Sequence, residues 1–154
     1  MKYLKYLLSF TLLAGTIFAW YTVFNDFLLF YADEGTFFKV NNCIIPNPVT
    51  TPCFYGAFAF LGAFIWSLFI LGFNPERQKK NYFYLIWLLI GSNIFAWTNF
   101  TIILVRFIQA QGHPALGCSG QITTNPFTTP CFIGASIFLL SLIICSIIVW
   151  KNKK

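Results

Sequence analysis

The chain reads "NPVTTPCFYGA" from Asn47 to Ala57 and "NPFTTPCFIGA" from Asn125 to Ala135. The two stretches start 78 residues apart and agree at nine of eleven positions. Each is a helix-start signal. A threonine before Pro52 or Pro130 is placed to cap a helix, and proline suits the first helical position, where its missing N–H costs nothing. Asn-Pro upstream favours a turn into that cap. The cysteine, Cys53 or Cys131, then falls in the first turn of an apolar run.

Working outward from the motif, a second string repeats. "IFAW" occurs at Ile17–Trp20 and again at Ile94–Trp97, and the same shift of 77 brings Gly35 onto Gly112. The whole chain therefore reads as two tandem units, about 1–76 and 77–154. Each holds an apolar span, an outer loop, the motif and a second span. Units of two spans keep the same orientation, which predicts parallel repeats about an axis along the membrane normal. The expected fold is an all-α membrane protein, a single four-helix transmembrane bundle over residues 1–154.

Composition demands the membrane. The chain is 58% hydrophobic and only 9% charged, whereas soluble domains carry about 25% charged residues. The apolar spans run from Leu4 to Phe24 (or on to Tyr31), Phe54 to Phe73, Tyr82 to Phe107 and Phe132 to Trp150. Each approaches or exceeds the ~20 residues that a helix needs to cross a hydrocarbon core. Continuous apolarity excludes the alternating strands of a barrel. The start also imitates a cleavable leader, yet Ile17 is a poor small-residue match and "IFAW" recurs inside the third span, so the first span reads as a retained helix.

The net charge of +6 is a topology signal rather than a nucleic-acid footprint. Lys2, Lys5, Arg77, Lys79, Lys80, Lys151, Lys153 and Lys154 all lie on one side of a four-span chain. By the positive-inside rule that side is the cytoplasm, which puts both termini there and the cysteine loops outside the cytoplasm, at the plasma membrane. Lipid is the expected partner, with other membrane subunits or further copies of the chain beside it.

Small residues mark the predicted packing faces. Gly15, Ala19, Thr22 and Asp26 share one face of the first span, and their counterparts are Ser92, Ala96, Asn99 and Ile103. Gly56, Ala63 and Ser67 are matched by Gly134, Ser141 and Cys145. Such residues let helices approach closely in lipid. Most of the 20 phenylalanines are then left to face lipid. Asp26 and Arg106 are the charges set within apolar sequence; an interfacial ion pair between the two long helices, or two separately snorkelling side chains, is expected, with a proton or substrate site as the functional alternative. Cys145, where the other unit has Ser67, reads as a packing residue.

The remaining cysteines fall one pair to each outer loop, Cys43 with Cys53 and Cys118 with Cys131. On the oxidising side, two disulfides are expected. Each would staple its loop to a helix, stabilising it by roughly 2.5–3 kcal/mol on the chain-entropy estimate.

Four spans, a cytoplasmic N-terminus and a cysteine pair in each outer loop resemble disulfide-bond formation protein B. A loop pair that ends at the start of the second span is similar to vitamin K epoxide reductase. The resemblance implies thiol–disulfide chemistry at Cys43, Cys53, Cys118 and Cys131, coupled to a quinone. Both families use a CxxC pair, and no CxxC occurs here.

Other chemistry finds little material. His113 stands alone beside Pro114, so no metal site is expected. No phosphate loop and no Ser/His/Asp set can be assembled. "NFT" at Asn99 lies within a span and is discarded as a glycosylation site. Three function classes fit. The leading expectation is a non-enzymatic structural or interaction protein with stapled loops and no cofactor. A quinone-linked thiol oxidoreductase is the alternative. A small transporter or channel lined by Thr22, Asn99, Asp26 and Ser92 is the third.

Overall fold

The computed structural model describes residues 2–36, 46–110, 115–116 and 122–151. Four α-helices account for most of them: α1 Lys2–Glu34, α2 Pro52–Leu71, α3 Pro75–Gln109 and α4 Pro130–Lys151. All four are long and apolar enough to span a membrane. Short 3-10 turns at Pro48–Thr50 and Pro126–Thr128 lead into α2 and α4. A two-residue antiparallel ladder pairs β1, Ala115–Leu116, with β2, Ile122–Thr123.

α1 and α3 run beyond the spans that hydropathy marks. Hydropathy reports where lipid ends, whereas the backbone ladder continues until something stops it. For α1 the stop is Gly35. It adopts a left-handed φ of 65°, and its N–H donates to the carbonyl of Tyr31 at 2.9 Å, a common helix ending that glycine alone takes without strain. At ~1.5 Å per residue, 33 and 35 residues make rods of about 50 Å. α2 and α4, with 20 and 22 residues, match a hydrocarbon core of about 30 Å.

α1 packs on α2 and α4, and α3 packs on α4 and α2, closing a ring of neighbours. The core inside that ring includes Leu8, Leu12, Phe60, Ala63, Tyr82, Leu85, Leu89, Phe138 and Cys145. Its centre is a stack of two rings, Phe60 on Phe138, with centroids 3.6 Å apart and planes 9° from parallel. Phe10, Tyr21, Phe24, Phe69, Trp87 and Trp150 are exposed, as side chains facing lipid are.

Most of the expected small-residue faces are buried: Gly15 and Thr22 on α1, Ala63 and Ser67 on α2, Ser92 on α3, and Ser141 and Cys145 on α4. The hydroxyls of Ser67 and Ser9 lie 3.1 Å apart between α1 and α2. Cys145 packs against the backbone of α3, its Sγ 3.8 Å from the carbonyl of Tyr82. Gly56 corrects the expectation of close approach. A Cβ there would meet nothing within 4 Å, because Gly56 borders a cavity.

At the basic end, a three-residue turn joins α2 to α3. Gln78 Nε2 donates to the carbonyls of Phe73 at 2.8 Å and Leu71 at 3.3 Å, satisfying groups that a helix end leaves open. Lys5 Nζ donates to Gln78 Oε1 and lies 5.9 Å from the centre of the Tyr82 ring. The first turn of α1 is thereby tied to the first turns of α3.

Candidate functional site at the paired motif

The two copies of the motif fold alike. The Asn47 side chain accepts from the N–H of Val49 at 3.0 Å, and Asn125 accepts from Phe127 at the same distance. These short asparagine turns hold Pro48 and Pro126 at the head of each 3-10 turn. Thr50 and Thr128 donate back to the carbonyls of Asn47 and Asn125, at 2.7 and 2.9 Å.

The capping threonines differ from the sequence expectation in one respect. Thr51 occupies the N-cap of α2 with extended backbone, yet its hydroxyl makes no bond into the helix. It donates instead to the carbonyl of Pro48 at 2.7 Å, and Thr129 does the same to Pro126 at 2.6 Å. The preceding 3-10 turn leaves that carbonyl close by, and both threonines are buried. Donating to that carbonyl orients the hydroxyl back over the 3-10 turn, away from the helix N–H groups from which it would accept as a cap.

These caps fix the first turns of α2 and α4, and with them the motif cysteines. Cys53 Sγ and Cys131 Sγ lie 4.0 Å apart. A disulfide needs about 2.05 Å, so the two sulfurs are in contact rather than bonded. Cys53 is a thiol, so the expected Cys43–Cys53 staple is not formed, whereas Cys131 is disulfide-bonded; the expected loop partners Cys43 and Cys118, and His113, lie outside the described residues.

Beside the two sulfurs is a cavity of about 50 Å³. Its walls come in corresponding pairs, 77 or 78 residues apart: Phe18 and Phe95, Ala19 and Ala96, Thr22 and Asn99, Gly56 and Gly134, Phe60 and Phe138. The lining is apolar except at Thr22 and Asn99, and both give their donors to their own helices. Thr22 donates to Phe18 O at 3.0 Å and Asn99 Nδ2 to Phe95 O at 2.8 Å. The volume suits one or two water-sized guests.

Asp26 is buried on α1, one turn beyond Thr22. The rings of Phe27 and Phe54, next in the chain to Asp26 and Cys53, meet edge to face at 6.3 Å. Ile103, the counterpart of Asp26, is buried as well. Arg106, expected beside Asp26, is exposed on α3. Ser92 is buried without lining the cavity. Among the described residues no three His, Cys, Asp or Glu side chains cluster as metal ligands would.

The meeting of Cys53 and Cys131 is the feature that sequence reasoning missed. Its signal was present in the repeat. Equivalent residues of parallel units face each other wherever they lie close to the axis relating the units, and a first-turn cysteine on the inward face of α2 then meets its twin on α4. Comparison with protein-family models, with curated proteins and with solved structures returned no match for this chain.

Proposed function

We propose that the chain is a duplicated two-helix unit in the plasma membrane whose two outer loops exchange disulfides through Cys53 and Cys131. The termini are placed in the cytoplasm and the sulfurs on the opposite side, on the strength of the eight clustered basic residues. The observation that carries the reading is the 4.0 Å contact between the two sulfurs. Two independent staples would not need the motif cysteines to touch. An exchange system does, because one sulfur must reach the other by a shift of about 2 Å.

In the proposed chemistry the loops carry the pairs Cys43–Cys53 and Cys118–Cys131. With the first pair reduced and the second bonded, Cys53 gives up its proton and its sulfur attacks Cys131. The Cys53–Cys131 bond forms, the Cys118–Cys131 bond breaks, and Cys118 leaves and takes up a proton. Cys43 then attacks Cys53 and Cys131 leaves. Two electrons pass from the first loop to the second with no outside reagent. Continued turnover requires an oxidant for the second loop. A membrane-soluble quinone is the class that the architectural likeness supplies.

The test is cross-linking in the variant Cys43→Ser with Cys118→Ser. Under mild oxidation a Cys53–Cys131 disulfide is expected, detected as a joined peptide that reductant separates. Both sulfurs remaining thiols under oxidation would overturn the exchange reading. The identical caps of the two motifs favour a second reading, permanent staples on a structural or interaction protein. It predicts a wild-type chain whose two loop disulfides resist mild reductant and never yield the shared bond.

A further inference from the structure

On the outer side of α2 and α3, an open groove of about 410 Å³ starts at the turn that joins them. Gly62, Ile65, Trp66, Phe69 and Phe73 line it at spacings that keep them on one helical face, and Asn81 lines it from α3. Ile65, Phe69 and Phe73 are exposed. A Cβ on Gly62 would meet nothing within 4 Å. From Phe73 to Gly62 the groove runs roughly 16 Å along the helix axis, about half of a 30 Å hydrocarbon core. That is the depth of one bilayer leaflet.

The end of the groove at the turn is basic. Arg77 and Lys80 are exposed and fall, with Asn81, on one side of α3. Asn81 Nδ2 donates one hydrogen to the carbonyl of Arg77 at 2.8 Å, which leaves its second N–H for another acceptor. Glu76, one turn before Lys80, is the one carboxylate at this end of the chain, and Arg77, Lys79 and Lys80 outnumber it. The repeat does not write this groove twice. The positions that correspond to Gly62 and Asn81 hold Leu140 and Leu4, and Tyr3 corresponds to Lys80.

We infer that the groove holds one anionic phospholipid from the leaflet at the basic end. An acyl chain lies along α2, over Gly62, and the phosphate sits at Arg77, Lys80 and the second N–H of Asn81. Lipid chains are the solvent on this face, so an apolar groove one leaflet deep is filled by a chain. Basic residues at headgroup level select the anionic lipid, and an arginine can give a phosphate two parallel N–H donors. The inference stands apart from the proposed disulfide exchange.

The test is native mass spectrometry of the purified chain in detergent, with phosphatidylglycerol or phosphatidylcholine of the same acyl chains added. One phosphatidylglycerol is expected to be retained, at least about tenfold more tightly than phosphatidylcholine. Arg77→Gln with Lys80→Gln should weaken that retention at least about tenfold. Lys79→Gln with Lys151→Gln removes the same charge from the same end but away from the groove, and should leave retention close to that of the wild type. Gly62→Leu gives the groove the residue of the second unit and should displace the lipid. It should not lower the unfolding temperature, since its side chain enters open space and leucine suits a helix better than glycine. Equal retention of the two lipids, or equal losses from the two double variants, overturns the inference. So does a Gly62→Leu chain that keeps the phosphatidylglycerol, because a headgroup held without its chain would be a plain anion site. A wild-type dimer that Gly62→Leu converts to monomer also overturns it and gives the groove to a second copy.

Discussion

The ring of Phe60 occupies the space that a side chain on Gly15 would need. A Cβ at Gly15 would come within 2.7 Å of Cδ1 of Phe60 and closer still to Cε1. Phe60 cannot swing aside, because its other face is stacked on Phe138. Gly15→Ala should therefore cost about 1–3 kcal/mol, as overpacking of a tight core does. Thermal unfolding in detergent measures it, and Gly15→Ala with Phe60→Leu should recover part of the loss. A Gly15→Ala chain as stable as the wild type would show that the α1–α2 contact is looser than described.

The turn threonines make a second prediction. Thr51→Val and Thr129→Val each remove a buried hydroxyl that serves a proline carbonyl, at about 1 kcal/mol apiece. The larger effect is expected at a distance from the hydroxyls. The caps aim the first turns of α2 and α4, so the double variant should form the Cys53–Cys131 cross-link more slowly than a chain with native threonines.

At the opposite end, Gln78→Ala strips the donors from the carbonyls of Leu71 and Phe73 and the acceptor from Lys5. The expected loss is about 1 kcal/mol, confined to the turn. Limited trypsin treatment of the purified chain should reveal it as faster cleavage at Arg77, Lys79 and Lys80. Unchanged cleavage would show that the turn is held by its backbone alone.

Sidedness has a direct readout in cysteine chemistry. With a membrane-impermeant maleimide applied to intact cells after reduction, Cys43 and Cys118 should be labelled and Cys145 should not. Labelling of Cys145 alone would reverse the assigned orientation and remove the basis for oxidised loops.

Much of this architecture is legible in the residues. Spans, motif and helix starts follow from apolarity, proline and the doubled string, because each depends on a few neighbouring residues. Gly15 is legible as a small residue on a packing face. What it makes room for is not, since Phe60 lies 45 positions further on. The true ends of α1 and α3 escape hydropathy because the backbone ladder does not stop at the lipid boundary. Thr51 reads as a capping residue by position, and only the three-dimensional turn shows that a nearer acceptor takes its hydroxyl. Cys53 and Cys131 read as loop partners because sequence distance favours them. Their contact appears once four helices are placed around one axis.

The inequality of the helices has a consequence for what can touch the sulfurs. Ring contacts put Phe27 level with Phe54 and Phe100 level with Phe132. α1 therefore continues for about 7 Å, and α3 for about 10 Å, past the starts of the shorter helices. The ends of the two long helices thus project past the helix starts that carry the cysteine pair. Under the proposed exchange, these two helix ends are the described segments that an incoming thiol would have to pass.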